Sequence, residues 1–204
     1  MTNPPGDGAA PLPDFVEPVL AATVILVTPG HGGLEVLMVR RPPRGFFGGV
    51  WVFPGGTVDP RDHNADDFDL EQAFRRAAVR ELAEEVGMVV DVSSLAFVSR
   101  WVTPMMFPRR YDTHFYLAPL SSTLPLTLAR DELEEAAYIT PAAALGAHQA
   151  QQWPMVLPTL AHLRWLARFT SIDQALEAAS RARLDPVTPV IAADGSLVPV
   201  DIPW

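Results

Sequence analysis

Nine residues, Arg80-Glu81-Leu82-Ala83-Glu84-Glu85-Val86-Gly87-Met88, restrict this chain more than any other stretch. On a helix, Glu81, Glu84 and Glu85 stand at i, i+3 and i+4, within roughly 100° of arc on one side. Val79, Leu82, Ala83 and Val86 fall on the opposite arc and supply a face to bury. Like charges at this spacing cost a few tenths of a kcal/mol per pair, and more where solvent is partly excluded. The ridge therefore calls for a positive partner, either Arg80 and its neighbours or a divalent cation. Mg²⁺ suits such a place, since it takes oxygen ligands, keeps several waters and is commonly shared with substrate phosphates. Taken alone, the Glu pattern is better satisfied by a solvated surface helix.

The preceding segment decides between them. A strand-like run, Val50-Trp51-Val52, leads into Phe53-Pro54-Gly55-Gly56, and a polar loop then leads into the helix. With that context the chain resembles the Nudix hydrolase family, whose motif reads G-x5-E-x7-R-E-U-x-E-E-x-G-U, with U aliphatic. The right half matches at every specified position from Arg80 to Met88. Counting back from Arg80 puts Gln72 at the family's first Glu. Gly56 then lies about ten residues too far upstream, and Arg61 to Asp69 reads as an insertion. Asp69 is placed to cap the helix, with Gln72 at N3.

The resemblance implies an α/β Nudix fold, a mixed curled sheet sandwiched between helices, here with extra C-terminal helices. It also implies Mg²⁺ or Mn²⁺ held by Glu81, Glu84, Glu85 and the Gly56 carbonyl. Arg80 would orient the ligand carboxylates, and Glu84, Glu85 or an acid from the Asp131 to Glu135 segment would serve as base. A weaker likeness over Arg109 to Tyr116 ranks substrates, because it resembles a subgroup with a long insertion in the motif, related to peroxisomal coenzyme A diphosphatases.

Composition narrows the remainder. A chain of 204 residues is expected to form one domain, here residues 17–204, behind a disordered leader at 1–16 rich in Pro, Gly and Asp. No apolar run approaches the 18 or so residues of a membrane span, and the leader lacks the pattern of a signal peptide. The absence of cysteine excludes disulfides, thiolate zinc sites and cysteine nucleophiles, and fits a cytoplasmic location. A net charge of −9 argues against nucleic-acid binding through a basic face, though not against a small nucleotide-derived substrate met by local arginines and a metal.

Along the chain, Val19 to Val27 reads as a strand buried on both faces, Thr28 to Gly33 as a turn carrying an exposed His31, and Leu34 to Val39 as the returning strand. Arg40, Arg41 and Arg44, beside Phe46 and Phe47, are candidates for substrate phosphates, as are Arg109 and Arg110. Arg61 to Asp69 reads as a solvated acidic loop. Leu95 to Thr103, Tyr111 to Ala118 and Ala136 to Ile139 read as strands, and His114 as a satisfied structural residue. Thr140 with Pro141 starts a short helix, and helical patterns follow over 157–167 and from Ser171. These helices pack on the parent sheet or on a second copy, which leaves a homodimer open. Asp194-Gly195 marks a hairpin turn.

The expected reaction is metal-assisted hydrolysis of a phosphoanhydride in a nucleoside diphosphate linked to another moiety. Coenzyme A or an acyl ester of it ranks first; ADP-ribose or another nucleotide remains an alternative. So does a Nudix-fold module that binds or regulates without catalysis.

Overall fold

The computed structural model describes residues 16–44, 48–63, 69–193 and 196–198. The leader up to Phe15, Phe46 and Phe47, and the Asp194-Gly195 turn lie outside the described residues.

Two long strands form the spine. β1 (Val19–Gly30) runs parallel to β6 (Tyr111–Pro119) and antiparallel to β2 (Gly33–Arg40). β5 (Ala96–Val102) flanks β6, and β7 (Glu135–Ile139) flanks β2. The two-residue β3 (Trp51–Val52) continues the other edge of β2, and β4 (Gly55–Thr57) pairs with the start of β1. β1 extends three residues further than its composition suggests: Thr28, Pro29 and Gly30 pair with Glu35, Leu34 and Gly33, leaving His31 and Gly32 as the turn. The β1–β6 pairing ends at Val27 and Pro119, so Pro29, which has no N–H, sits where β1 is paired on one side only.

Strand alternation splits the apolar residues between two cores. Ile25 and Val27 join Met38, Trp51 and Phe53 on one face, where α2 (Pro141–Gln149), α3 (Leu157–Leu166) and α4 (Ile172–Ala179) pack. Val24 and Leu26 join Leu37, Val39 and Tyr116 on the other, beneath α1 (Leu70–Val86). Val24 through Val27 are all fully buried, as expected of a strand covered on both sides. The C-terminal helices thus pack on the parent sheet. β8 (Pro186–Val187) adds a parallel edge to β5, and β9 (Val190–Ile191) pairs with β10 (Leu197–Val198). Among the described residues no helix is long and apolar enough to cross a membrane.

α1 buries Phe74, Ala77, Ala78, Leu82 and Val86, a helical stripe whose larger members each contribute roughly 2 kcal/mol by burial. Asp69 caps its start by accepting from the Glu71 and Gln72 amides. Gly87 closes its end in the left-handed conformation, with φ of 72°. Thr140 and Ser171 cap α2 and α4, as their sequences indicate.

Candidate active site

α1 and β4 meet along the acidic ridge. Glu85 is buried: its Oε2 accepts from the Gly55 amide at 2.9 Å and its Oε1 from Arg41 Nη2 at 3.3 Å. The same Arg41 nitrogen donates to the Gly55 carbonyl at 2.7 Å, tying the Pro-Gly-Gly turn to the helix. Burial pushes the Glu85 carboxyl up to about 7; the Arg41 charge and the Gly55 amide only partly offset it. Burial also raises Glu81, again only partly opposed by Arg80.

Arg80 organises the other carboxylates. Its Nη1 donates to Glu81 at 2.7 Å and to Glu84 at 2.9 Å, and Arg61 reaches Glu84 at 3.1 Å. Gly56 sits so close that a Cβ there would fall 2.4–2.5 Å from the Glu81 carboxylate atoms. Gly56→Ala is therefore expected to displace Glu81 and weaken Mn²⁺ binding about tenfold, measured by calorimetry; unchanged affinity would remove Glu81 from the ligand set.

The remaining contacts of Arg80 correct the sequence register. Its Nε and Nη2 grip both oxygens of Asp62, at 3.0 and 2.9 Å, and Nη2 also donates to the Thr57 carbonyl. Asp62 is not a solvated loop residue: it is 3% exposed, and Arg76 donates to its carbonyl. Burial alone would raise its pKa, but hydrogen bonds from Arg80 and the Asp59 amide, with the Arg80 and Arg61 charges, hold it below the usual range. Counted forward from Gly56, G-x5 ends on Asp62, so the motif's first acid is Asp62 and the extra residues fall between it and α1. Asp59-Pro60-Arg61-Asp62 folds as a capped 3₁₀ turn with reciprocal Asp59–Asp62 hydrogen bonds, a signal present in the sequence. Gln72 lies on α1 two turns before Arg80; its neighbour Glu71 instead meets Tyr116 and His114. His114, stacked on Phe74 and buried, is the structural histidine expected.

Asp62→Ala is expected to destabilise the fold by about 2 kcal/mol, because Arg80 loses its paired carboxylate but keeps Glu81 and Glu84. Activity should fall roughly 10- to 100-fold as those two lose alignment. Denaturant titration and initial rates check this, and a variant with wild-type rates would show that Arg80 needs no such anchor.

A cavity of about 660 Å³ opens beside the ridge. Glu81, Glu85, Glu132, Arg41 and Arg109 bring charge to it. Glu132 is the member of the 131–135 segment that lines the cavity; Glu134 and Glu135 pair with Arg40 at 3.7 and 2.6 Å. Those pairs hold Arg40 away from the cavity wall, and Arg44 reaches the Asp131 carbonyl. Arg110 is buried, donating to the Thr103 and Val16 carbonyls. Of the five arginines considered for phosphate, Arg41 and Arg109 line the cavity. Arg109 lies over the Tyr111 ring, 5.4 Å from its centroid.

Among the described residues, no three His, Asp or Glu side chains converge as a ready cation cluster, and Arg80 and Arg61 both pair with Glu84. The donor chemistry nonetheless fits a hard cation: Glu81 and Glu85 are desolvated oxygen donors on one cavity, and Glu132 adds to the charge both must bear.

Known proteins resemble this chain in sequence and fold. A family model described as NUDIX domain matches residues 17–157. The acyl-coenzyme A diphosphatase NUDT19 of Gallus gallus is 29% identical over 228 aligned residues, covering 97% of this chain. A putative nudix hydrolase 7 of Caenorhabditis elegans is 28% identical over 175 residues, covering 68% of it. This chain spans 58% of the length of each relative. The crystal structure of a NUDIX hydrolase from Alicyclobacillus acidocaldarius superposes with a TM-score of 0.72 at 25% identity, over 79% of this chain and 96% of that one. The match spans more than half of the sequence and takes in both the glycine turn and the acidic helix: the chain belongs to the Nudix family.

Proposed function

We propose that the protein hydrolyses a phosphoanhydride bond in a nucleoside diphosphate linked to another moiety, with coenzyme A or its acyl esters as the first substrate class. The observation that carries this reading is the pair of desolvated carboxylates, Glu81 and Glu85, facing one cavity with the Gly55-Gly56 turn. The likeness to an acyl-coenzyme A diphosphatase over 97% of the chain supports the substrate class.

Glu81, Glu84, Glu85 and the Gly56 carbonyl would hold Mg²⁺ or Mn²⁺, which when bound neutralises phosphate oxygens and acidifies water. Arg80 keeps Glu81 and Glu84 aimed together, and Asp62 keeps Arg80 in place. Arg109 makes no ion pair among the described contacts, so it is placed to receive a phosphate, while Arg41 is divided between Glu85 and the Gly55 carbonyl. Glu132 stands at the cavity as the proton acceptor. Water adds to one phosphorus, the bridging P–O bond breaks, and the departing phosphate takes the electron pair. From coenzyme A the products are phosphopantetheine and adenosine 3′,5′-bisphosphate.

One observation favours a binding module instead: Glu84 is held by two arginines, as in a site that no longer takes a cation. Product analysis on coenzyme A, an acyl ester, ADP-ribose and a dinucleoside polyphosphate, each with Mg²⁺ or Mn²⁺, separates the readings. Cleavage of a coenzyme A compound in preference to the others is expected. Tight binding of one compound without turnover of any would select the module.

A further inference from the structure

The family match ends at Leu157, yet the cavity does not. Pro158 and Thr159 at the start of α3, Pro189 between β8 and β9, and Leu197 on β10 all line the same space as Glu81 and Glu85. Phe107, from the loop joining β5 to β6, lines it as well. These groups are apolar apart from the Thr159 hydroxyl, whereas the charged groups named above gather about the ridge and Arg109. The cavity thus combines charged groups fit for a diphosphate with an apolar lining that a diphosphate does not need.

We propose that Phe107, Pro158, Pro189 and Leu197 form a specificity-determining wall that seats an acyl chain carried on the substrate's non-nucleotide arm. The inference rests on the functional reading above for the substrate's polar part. Three features favour an acyl chain over a stacked base. Apart from Phe107, the groups that form this wall are prolyl and aliphatic. The face of Tyr111 is taken by Arg109, at 5.4 Å. One face of Phe115 is taken by His162, with centroids 4.2 Å apart. The flanking sequence is apolar too: Met105 and Met106, directly before Phe107, are exposed, as are Val190 and Ile191, directly after Pro189.

The β8–β10 segment reaches the cavity because β8 pairs with β5, Pro186 opposite Arg100 and Val187 opposite Trp101. Val187 is fully buried in the core and anchors the segment, while Pro189 and Leu197 face the cavity. Specificity is thereby carried by a part of the chain that the family's metal-binding motif does not contain.

The test is direct binding, which does not depend on turnover. Calorimetry in EDTA compares octanoyl-coenzyme A with unacylated coenzyme A on the full chain. The wild type is expected to bind the octanoyl compound at least tenfold more tightly, since burial of two methylenes suffices for roughly that factor. Leu197→Glu, and separately Phe107→Ala, should shrink the ratio below threefold, chiefly by weakening the acylated ligand. Equal binding of the two compounds by the wild type overturns the wall, as does failure to bind either, or an undiminished ratio in both variants. Preserved preference without hydrolysis in Mn²⁺ would overturn the proposed reaction while leaving the wall in place.

Discussion

Glu85→Gln is expected to lower the hydrolytic rate roughly a thousandfold, the several kcal/mol that a metal-holding carboxylate supplies to phosphoryl chemistry. The fold should survive, because the amide keeps the size of the carboxyl and its oxygen can still accept from the Gly55 amide. The metal-free protein gives a second readout. Burial holds the folded pKa of Glu85 near 7, above the ordinary value of 4.5. Between those values the folded state binds the extra proton, so stability is full below about pH 4.5 and is lost as pH rises through 7. The loss is on the order of 3 kcal/mol. In EDTA the melting temperature of the wild type should therefore fall between pH 5 and pH 8 relative to that of the variant, and Mn²⁺ should restore it at pH 8. Parallel pH profiles would mean that Glu85 meets solvent, and a variant of wild-type activity would mean that the chemistry lies elsewhere.

What the sequence disclosed about this site follows the range of each signal. The helix of the acidic ridge and its Asp69 cap are local patterns, and each stands where the residues indicate. Asp62 is hidden from a count that starts at the motif's strong end and runs backwards through the insertion. The capped turn Asp59-Pro60-Arg61-Asp62, counted forward from Gly56, points to it without any structure. The arginines were a different case. Their number shows that phosphate can be met, but direction depends on partners far away in sequence: Arg40 turns to Glu134 and Glu135, and Arg110 to the Thr103 and Val16 carbonyls. The choice of Glu132 among four neighbouring acids is likewise tertiary, since it depends on where β7 pairs with β2. Strand burial was legible, because an unbroken apolar run can be satisfied only by covering both faces, and α1 and the C-terminal helices do so.

His162 belongs to the part that no local pattern announces, and it carries the second large effect. Its Nδ1 lies 2.7 Å from the Pro158 carbonyl, which can only accept, so Nδ1 bears the proton. Nε2 therefore accepts, from the Ser99 hydroxyl at 2.7 Å across 63 residues of sequence, and Ser99 in turn accepts from Trp101 Nε1 at 3.1 Å. The ring is wholly buried against Phe115, Phe53 and Trp101, three residues of the cavity lining. Burial drives its pKa down to about 3, with only partial compensation from the Pro158 carbonyl. The unfolded chain takes up this proton below 6.5 and the folded one does not, so the stabilisation is present above 6.5 and is lost as pH falls towards 3. Over the whole window the loss is roughly 5 kcal/mol, and about 2 kcal/mol of it should appear by pH 5. Denaturant unfolding between pH 8 and pH 5 should show a flatter profile in His162→Gln than in the wild type, although the variant starts lower because the ring's packing is gone. Should the variant fail to fold, the imidazole resonance of His162 in the wild type gives the same answer. A folded-state titration near 6.5 would show that the ring is open to water.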